Sequence, residues 1–399
     1  MRRLTLAAVI AVASTTPSFA QLAVSANDGK VKRVNGVVQT VKDGKDYVSI
    51  IDLKANPPKL LTEVEIPASV VGPPTSVAVS PKEDIALITS AEKFDPADGT
   101  KRVPDDRLTV LDLAGARGGV LDRFKKQTTP PQLKVLATLT AGKGAAGVTF
   151  NKAGTLALVA NRAEGTVSIF TVNGKTVTAA GKVDLGNPNA GPCAVVFTPD
   201  GKQALVTLDG ESAHKIAVLS VDGNKVEYTK RDINAGIRPY GIDITKGGEA
   251  AVVANIGRGG GDNDTISVID LKLAPPRVVN TYTVGQEPVG IKLSPDGNYV
   301  AVTVMNGTNK PDNSPFYKAN GILQIWSRTG TQLSKVVEAP IGKWCQGIAW
   351  SSNSKVVLAQ CMVEEEIIVF RFAGITGKSL TRAGTIKVKG GPAGIRTAE

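Results

Sequence analysis

Arg238, Tyr240, Glu287, Trp344 and Gln346 each stand one residue before or after Pro239, Pro288 or Cys345. A guanidinium, a phenol, a carboxylate, an indole and an amide gathered at one mouth would suit a pocket with a few convergent polar groups. The plainer alternative is a solvated rim in which Arg238 and Glu287 pair. Four residues beyond the same kind of anchor stand Asp243, Lys292 and, after Pro392, Arg396. The equivalent positions elsewhere hold Ala78, Thr149, Val196 and Ala349. Charges on such a strand are costly unless paired. Asp243 and Lys292 therefore read first as a pair between neighbouring repeats. The sharper reading makes Asp243, Lys292 and Arg396 ligand contacts in a channel.

Other chemistry is sparse. His214 is the only histidine, so a Ser-His-Asp triad, a histidine-based metal site or a histidine general base would all have to use it. It falls at the start of a strand, away from the expected channel. Asp262 and Asp264, and Asp95 and Asp98, put carboxylates on flexible Gly-rich or Pro-rich segments. Oxygen ligands of that kind suit calcium, although neither segment has the EF-hand pattern and such clusters are commonly turns. The run 257–261 (GRGGG) lacks the strand and helix context of a phosphate loop, and no CxxCH is present. No cofactor is expected beyond calcium on those loops. Cys345 and Cys361 flank one turn and should lie opposite each other, either as a disulfide or as two buried thiols. Cys193 lacks a histidine neighbour in the sequence and reads as a packed small residue.

The elements that position these residues follow from a repeat. Aligning on the anchors gives Pro74, Ala145, Pro192, Pro239, Pro288, Cys345 and Pro392, at spacings of 71, 47, 47, 49, 57 and 47. Two residues on runs a column of small residues: Ser76, Gly147, Ala194, Gly241, Gly290, Gly347 and Gly394. Small side chains at a fixed position mark close backbone approach. After each anchor except the last come a β-rich run, a turn such as Pro295-Asp296-Gly297, and three more β-rich segments. Four short strands in about 47 residues is the pattern of a propeller blade. Pro392 is followed by a single strand, whereas the N-terminal region supplies segments matching strands two, three and four (LAVSAND, YVSIIDL, LLTEVEI). The expected fold is all-β. It is a seven-bladed β-propeller in one domain over 21–399, and its seventh blade is built from 21–70 plus 391–399. Closing the ring through the termini removes open sheet edges.

The runs ALVANRAEGTVSIF and AVVANIGRGGGDNDTISVID resemble the YVTN-type propeller repeat over nearly the whole of this region. That resemblance implies kinship with exported YVTN-repeat proteins and with seven-bladed lactonases related to 6-phosphogluconolactonase. The lactonases carry histidine and arginine at the channel mouth. Here Arg238 remains, but the matching region holds Cys193 and no histidine. Binders and enzymes share this fold, so function rests on the site itself.

In a four-stranded blade the anchors and the loops between strands two and three share a face. Four of those loops are long: 28–46, 91–106, 256–264 and 306–320. Long loops grouped on a rigid scaffold commonly carry a site. A further excursion, 114–131, should project from the opposite face.

Residues 1–20 read as a secretory leader. Arg2 and Arg3 precede a short apolar run, and Ser18-Phe19-Ala20 forms a small-residue cleavage site, with cleavage expected after Ala20. The chain should then reach the periplasm or be secreted, probing its partners as a monomer with no membrane-spanning segment. The formal charge is +11, of which Arg2 and Arg3 contribute two. A basic balance favours anionic partners: a small anion, an envelope polymer, an acidic periplasmic protein or nucleic acid. Single-strand stacking would have to use Tyr240, Trp344, Phe316 and Tyr317. The reading is an exported, non-enzymatic binding propeller using the channel-mouth face and the long loops. The alternative is a lactonase-like hydrolase or lyase, with Arg238 as oxyanion clamp and Glu287 or Asp243 as acid/base.

Overall fold

The computed structural model describes residues 21–116, 130–210, 213–377 and 379–398. The expected leader, and most of the excursion 114–131, lie outside them. The described chain forms seven four-stranded antiparallel blades, with the outermost strand of blade three broken into Lys225–Tyr228 and Ile233–Asn234. Blades are numbered here from the anchor Pro74. Blade five shows the plan: Pro288–Leu293, Tyr299–Val304, Gly321–Thr329 and Gln332–Ile341, each hydrogen-bonded to the next. The seven first strands touch one another in cyclic order, which closes the ring.

Blade seven is assembled from both termini, as the pattern predicts. Gly391–Thr397 pairs with Leu22–Asp28, which pairs with Tyr47–Asp52, which pairs with Lys59–Glu65. Each second strand is sandwiched within its blade and between neighbouring blades. Ala250–Asn255 is accordingly buried at every residue, and its sequence is a continuous small-apolar run. The outer strand Arg277–Gly285 alternates exposed and half-buried residues over most of its length. Amphipathic alternation of that kind is what a strand with one wet face needs. Fully buried Trp350, Phe170 and Phe370 fill the wider gaps between blades.

Two features of the repeat acquire physical causes. The first is the small-residue column. In blades two to six the register breaks just past the anchor, as between Pro288↔Val304 and Ile291↔Val302. The bulged residue presses on the next blade. A Cβ on Gly290 would lie 2.0 Å from Gln346 O, and one on Gly241 would lie 2.6 Å from Val289 O. The Thr303 hydroxyl donates to that same Gln346 O at 2.7 Å, and Thr207 donates to Tyr240 O at 2.8 Å. Blades are thus stitched through a threonine on strand two. The second feature is the Asn-Thr-x-Ser pattern of the motif. Asn161 Nδ2 donates to Thr166 Oγ1 and Ser168 Oγ, and Asn255 Nδ2 donates to Thr265 Oγ1 and Ser267 Oγ, each near 2.9–3.0 Å. The asparagine ties the end of strand two to the start of strand three.

Two of the long loops carry structure of their own. Loop 28–46 holds the hairpin Val31–Val34/Val37–Thr40, and loop 91–106 holds Glu92–Asp95/Asp98–Pro104. No helix among the described residues is long and apolar enough to cross a membrane.

Candidate functional site

A cavity of about 520 Å³ lies on the axis and takes lining residues from all seven blades. It runs from Thr75 down to the strand-one-to-two turns, where Pro81, Pro199 and Pro295 line it. The anchor face is closed above it. Thr75, Ala146, Cys193, Val289, Gln346 and Ala393, the residues directly after six anchors, are all buried. Thr75 Oγ1 reaches past blade two to Cys193 O at 3.5 Å, and Gln346 Nε2 donates to Val71 O at 2.8 Å. The axial space therefore extends to the turn face and not to the anchor face, where sequence placed the mouth. The buried side chains after these six anchors fill the narrow end.

Asp243, Lys292 and Arg396 all line this cavity. Lys292 Nζ lies 3.1 Å from Asp243 Oδ1, and Leu293 N donates to Asp243 Oδ2 at 2.8 Å. Both side chains of the pair are buried. The Arg396 guanidinium is anchored by the carbonyls of Pro74 and Ile395, at 3.3 and 2.9 Å. Lys152 and Lys246, both from the turns, line the cavity as well. Sequence reading missed these two because it treated the turns as punctuation. Among the described residues, four cationic residues and one carboxylate thus contribute to this lining, and the aromatic groups Phe150, Phe197 and Trp350 supply apolar wall.

The residues before the anchors show a different regularity. Gly144 and Gly191 take left-handed φ angles of 74° and 63°, and Arg238, Glu287 and Trp344 take the same conformation at 53°, 55° and 50°. A side chain in that region costs about 1–2 kcal/mol relative to glycine. Three consecutive blades bear this cost where two others avoid it, and such strain clusters at functional positions.

These side chains divide into two groups. Glu287 Oε1 meets Lys310 Nζ at 3.2 Å, and its backbone N–H donates to Asp264 Oδ2 at 2.9 Å. Trp344 is stacked by the Arg33 guanidinium, 4.2 Å from the ring centroid. Arg33 comes from the blade-seven hairpin and also bonds Asn309 O of blade five. Three long loops therefore meet over blades five and six, and Trp344 is half-buried beneath Arg33. Arg238 and Tyr240 belong to the second group, with Arg162, Cys193, Asp209 and His214. Arg162 Nη1 lies 2.7 Å from Asp209 Oδ2, and Arg238 Nη2 lies 3.6 Å from the same oxygen. Arg238 N donates to His214 Nδ1 at 3.2 Å. His214 does begin a strand, but it also reaches across to the anchor of the next blade. The sequence signal for Arg162 and Asp209 was available: both follow the end of strand two in adjacent blades, a column parallel to those that were compared.

The Cys193 thiol is pushed up to about 12, first by burial and then by the Asp209 charge. The neutral thiol, hydrogen-bonded with Tyr240 and Arg162, packs rather than attacks. Asp95 and Asp98 accept from the backbone of Ala97 and Thr100 in local turns. Burial raises Asp264 to about 6, assisted by Asp262 and Glu287. Among the described residues no group of three or more His, Cys, Asp or Glu side chains is gathered as a metal site. Cys345 and Cys361 face each other across strands one and two of blade six and are joined as a disulfide.

No family model and no curated protein matches the chain. Solved structures do. A putative 6-phosphogluconolactonase from Bacteroides fragilis superposes with a TM-score of 0.68 at 18% identity, covering 97% of this chain and 99% of that one. The periplasmic gluconolactonase of Pseudomonas aeruginosa gives 0.67 at 14% identity, covering 96% and 99%. Hydrazine synthase from Kuenenia stuttgartiensis gives 0.59 at 18% identity, covering 78% and 80%. At these identities the likeness is one of fold.

Proposed function

We propose that this propeller is an exported binding protein for a small anion, held in the axial cavity beside Lys292 and Arg396. One observation carries the reading: among the described residues, the cavity lining gathers Lys152, Lys246, Lys292 and Arg396 with the Asp243 carboxylate. Asp243 is engaged by Lys292 Nζ and Leu293 N, and so orients Lys292 in the cavity wall. A low-dielectric wall strengthens the attraction of cationic side chains for an entering anion. The Cys345–Cys361 disulfide suits the oxidising compartment to which the leader would send the chain.

The lactonase-like alternative draws support from the names of two structural neighbours. The residues it requires are divided here. Asp243 lines the cavity, whereas Arg238 pairs with Asp209 and Glu287 with Lys310. Asp243 is also poorly disposed as a base, because an ammonium and an amide N–H hold its two oxygens.

The test is calorimetric titration with gluconate and inorganic phosphate, run beside a lactone-hydrolysis panel. Saturable, salt-sensitive binding that is lost in Arg396→Leu, without lactone turnover, supports the binding role. Lactone turnover abolished by Arg238→Ala or Glu287→Ala would replace it with the hydrolase.

A further inference from the structure

We propose a second oxyanion site on the opposite face, a two-arginine clamp formed by Arg162 of blade two and Arg238 of blade four on either side of Asp209. Both guanidiniums lie within 4 Å of one carboxylate oxygen, Asp209 Oδ2, at 2.7 and 3.6 Å. The Asp209 side chain has no exposure, whereas the two arginine side chains keep 36% and 34% of theirs. The carboxylate sits beneath and the cations present their outer edges to solvent. The buried acid holds the two guanidiniums together by charge, since neither of its oxygens has a geometric hydrogen-bond partner among the described residues.

The charge balance agrees. Arg162 and Arg238 bring two positive charges and Asp209 one negative. Burial keeps Cys193 as the thiol and Tyr240 as the phenol. His214 accepts from Arg238 N through Nδ1, so its neutral ring carries the proton on Nε2. That buried Nε2 has no hydrogen-bond partner among the described residues, which adds a donor at the same place. Among the described residues the cluster therefore holds one more positive than negative charge and a surplus of donors. A planar carboxylate or a phosphate group, with acceptors matched to guanidinium forks, is the ligand that satisfies it.

The backbone carries independent weight. Arg238 adopts φ 53° at the position where blades two and three use Gly144 and Gly191. Glycine would be the easier residue there, and the chain places a guanidinium instead. The pair also spans blades that are not neighbours, with Asp209 of blade three between them. No single repeat could supply the clamp.

Arg238→Gly is the informative variant, because glycine suits the left-handed backbone and Arg162 still pairs with Asp209. Inorganic phosphate and acetate are titrated separately by calorimetry into wild type, Arg238→Gly, Arg162→Lys and Arg396→Leu. Wild type should show two sites. Arg238→Gly should weaken one of them about tenfold or more and leave the other unchanged, and Arg396→Leu should do the converse. Arg162→Lys keeps the charge but loses the fork, so it should weaken the same site as Arg238→Gly. Which anion fills the clamp is read from which titration loses a site. A single site removed by Arg396→Leu and untouched by Arg238→Gly overturns the clamp and leaves the cavity reading standing. A single site removed by Arg238→Gly does the reverse. Absence of binding by either anion to wild type overturns both.

Discussion

Lys292 and Asp243 occupy the same position in the first strands of adjacent blades, four residues past Pro288 and Pro239, and meet at 3.1 Å across the blade boundary. Arg162 and Asp209 repeat the relationship one residue beyond the end of strand two, at 2.7 Å. A repeat protein can create a charged pair between neighbours by varying one column in two consecutive repeats. Apart from Arg396 in blade seven, the first of these columns elsewhere stays small or apolar. Departures from the repeat are therefore where individual chemistry has been added to the scaffold.

Breaking the buried pair should cost more than deleting it. Lys292→Met removes the ammonium that meets the buried Asp243 carboxylate, and losses of about 3–5 kcal/mol are typical of breaking a buried pair from one side. Replacing both partners, in Asp243→Leu/Lys292→Met, removes the uncompensated charge and should recover most of the stability. The same double variant should lose anion binding in the cavity. Urea denaturation followed by tryptophan fluorescence gives the stability comparison. A single variant within about 1 kcal/mol of wild type would mean that the pair is hydrated.

The glycine column makes a sharper demand. Gly290→Ala puts a methyl group 2.0 Å from Gln346 O, a backbone atom that Thr303 also holds. Blade five cannot retreat without opening its contact with blade six, so a loss of at least about 1–3 kcal/mol is expected. Gly384 is the control. Nothing lies within 4 Å of a Cβ there, and its φ is not left-handed. Gly384→Ala should be neutral or stabilise by up to about 1 kcal/mol through the unfolded chain. Equal effects of the two substitutions on the thermal midpoint would contradict the close-approach account.

Thiol counting separates the three cysteines. The native protein should not react with a thiol reagent, because Cys193 is buried with its thiol held up near 12 and the other two are bonded. Unfolded without reductant, one thiol per chain should titrate, and with reductant three. The disulfide closes a loop across a sequence separation of 16, for which the chain-entropy scale gives about 3 kcal/mol. Reduction should accordingly lower the thermal midpoint, and Cys361→Ala should do so without reductant. Reactivity of a single thiol in the folded, unreduced protein would show Cys193 to be accessible.

The architecture was legible in the sequence because it is repetitive. Seven anchors, a small-residue column and an Asn-Thr-x-Ser link each recur, and each has a local steric or hydrogen-bonding cause. The split of blade seven between the termini was readable for the same reason, since LAVSAND matches LALVANR strand for strand. The site was less legible. Asp243, Lys292 and Arg396 stood out as charges on apolar strands. The end at which the axis is open depends on how Thr75, Cys193 and Gln346 pack together at the narrow end, and such packing leaves no composition signal. The covering of Trp344 by Arg33 is a contact between residues more than 300 positions apart in the chain. No column comparison reaches that far, because hairpin 31–40 lies in a loop whose length and sequence do not follow the repeat.

Mild acid should stabilise this protein, and two carboxylates account for the direction. Asp28 and Asp264 stand at the roots of two long loops. Asp28 accepts from Val71 N and Lys30 N, and Asp264 from Glu287 N. Burial raises both from an ordinary 3.8 to about 6, outweighing Lys30 at Asp28 and the Glu287 N–H at Asp264. The folded state therefore binds these protons more tightly than the unfolded chain. The stability they contribute is present in full below about 3.8 and is lost as the pH rises through about 6. Asp105, Asp112, Glu164, Asp200 and Glu249 are shifted the other way, and their contribution fails only as the pH falls toward the usual carboxylate range or below. Between about pH 7.5 and 5 the raised pair should dominate, and the thermal midpoint should climb. In Asp264→Asn the amide oxygen can still accept from Glu287 N, so this variant should be more stable than wild type at pH 7.5 and should climb less on acidification. A midpoint that falls steadily from pH 7.5 to 5 in wild type, with Asp264→Asn running parallel, would show that neither carboxylate takes up its proton on folding.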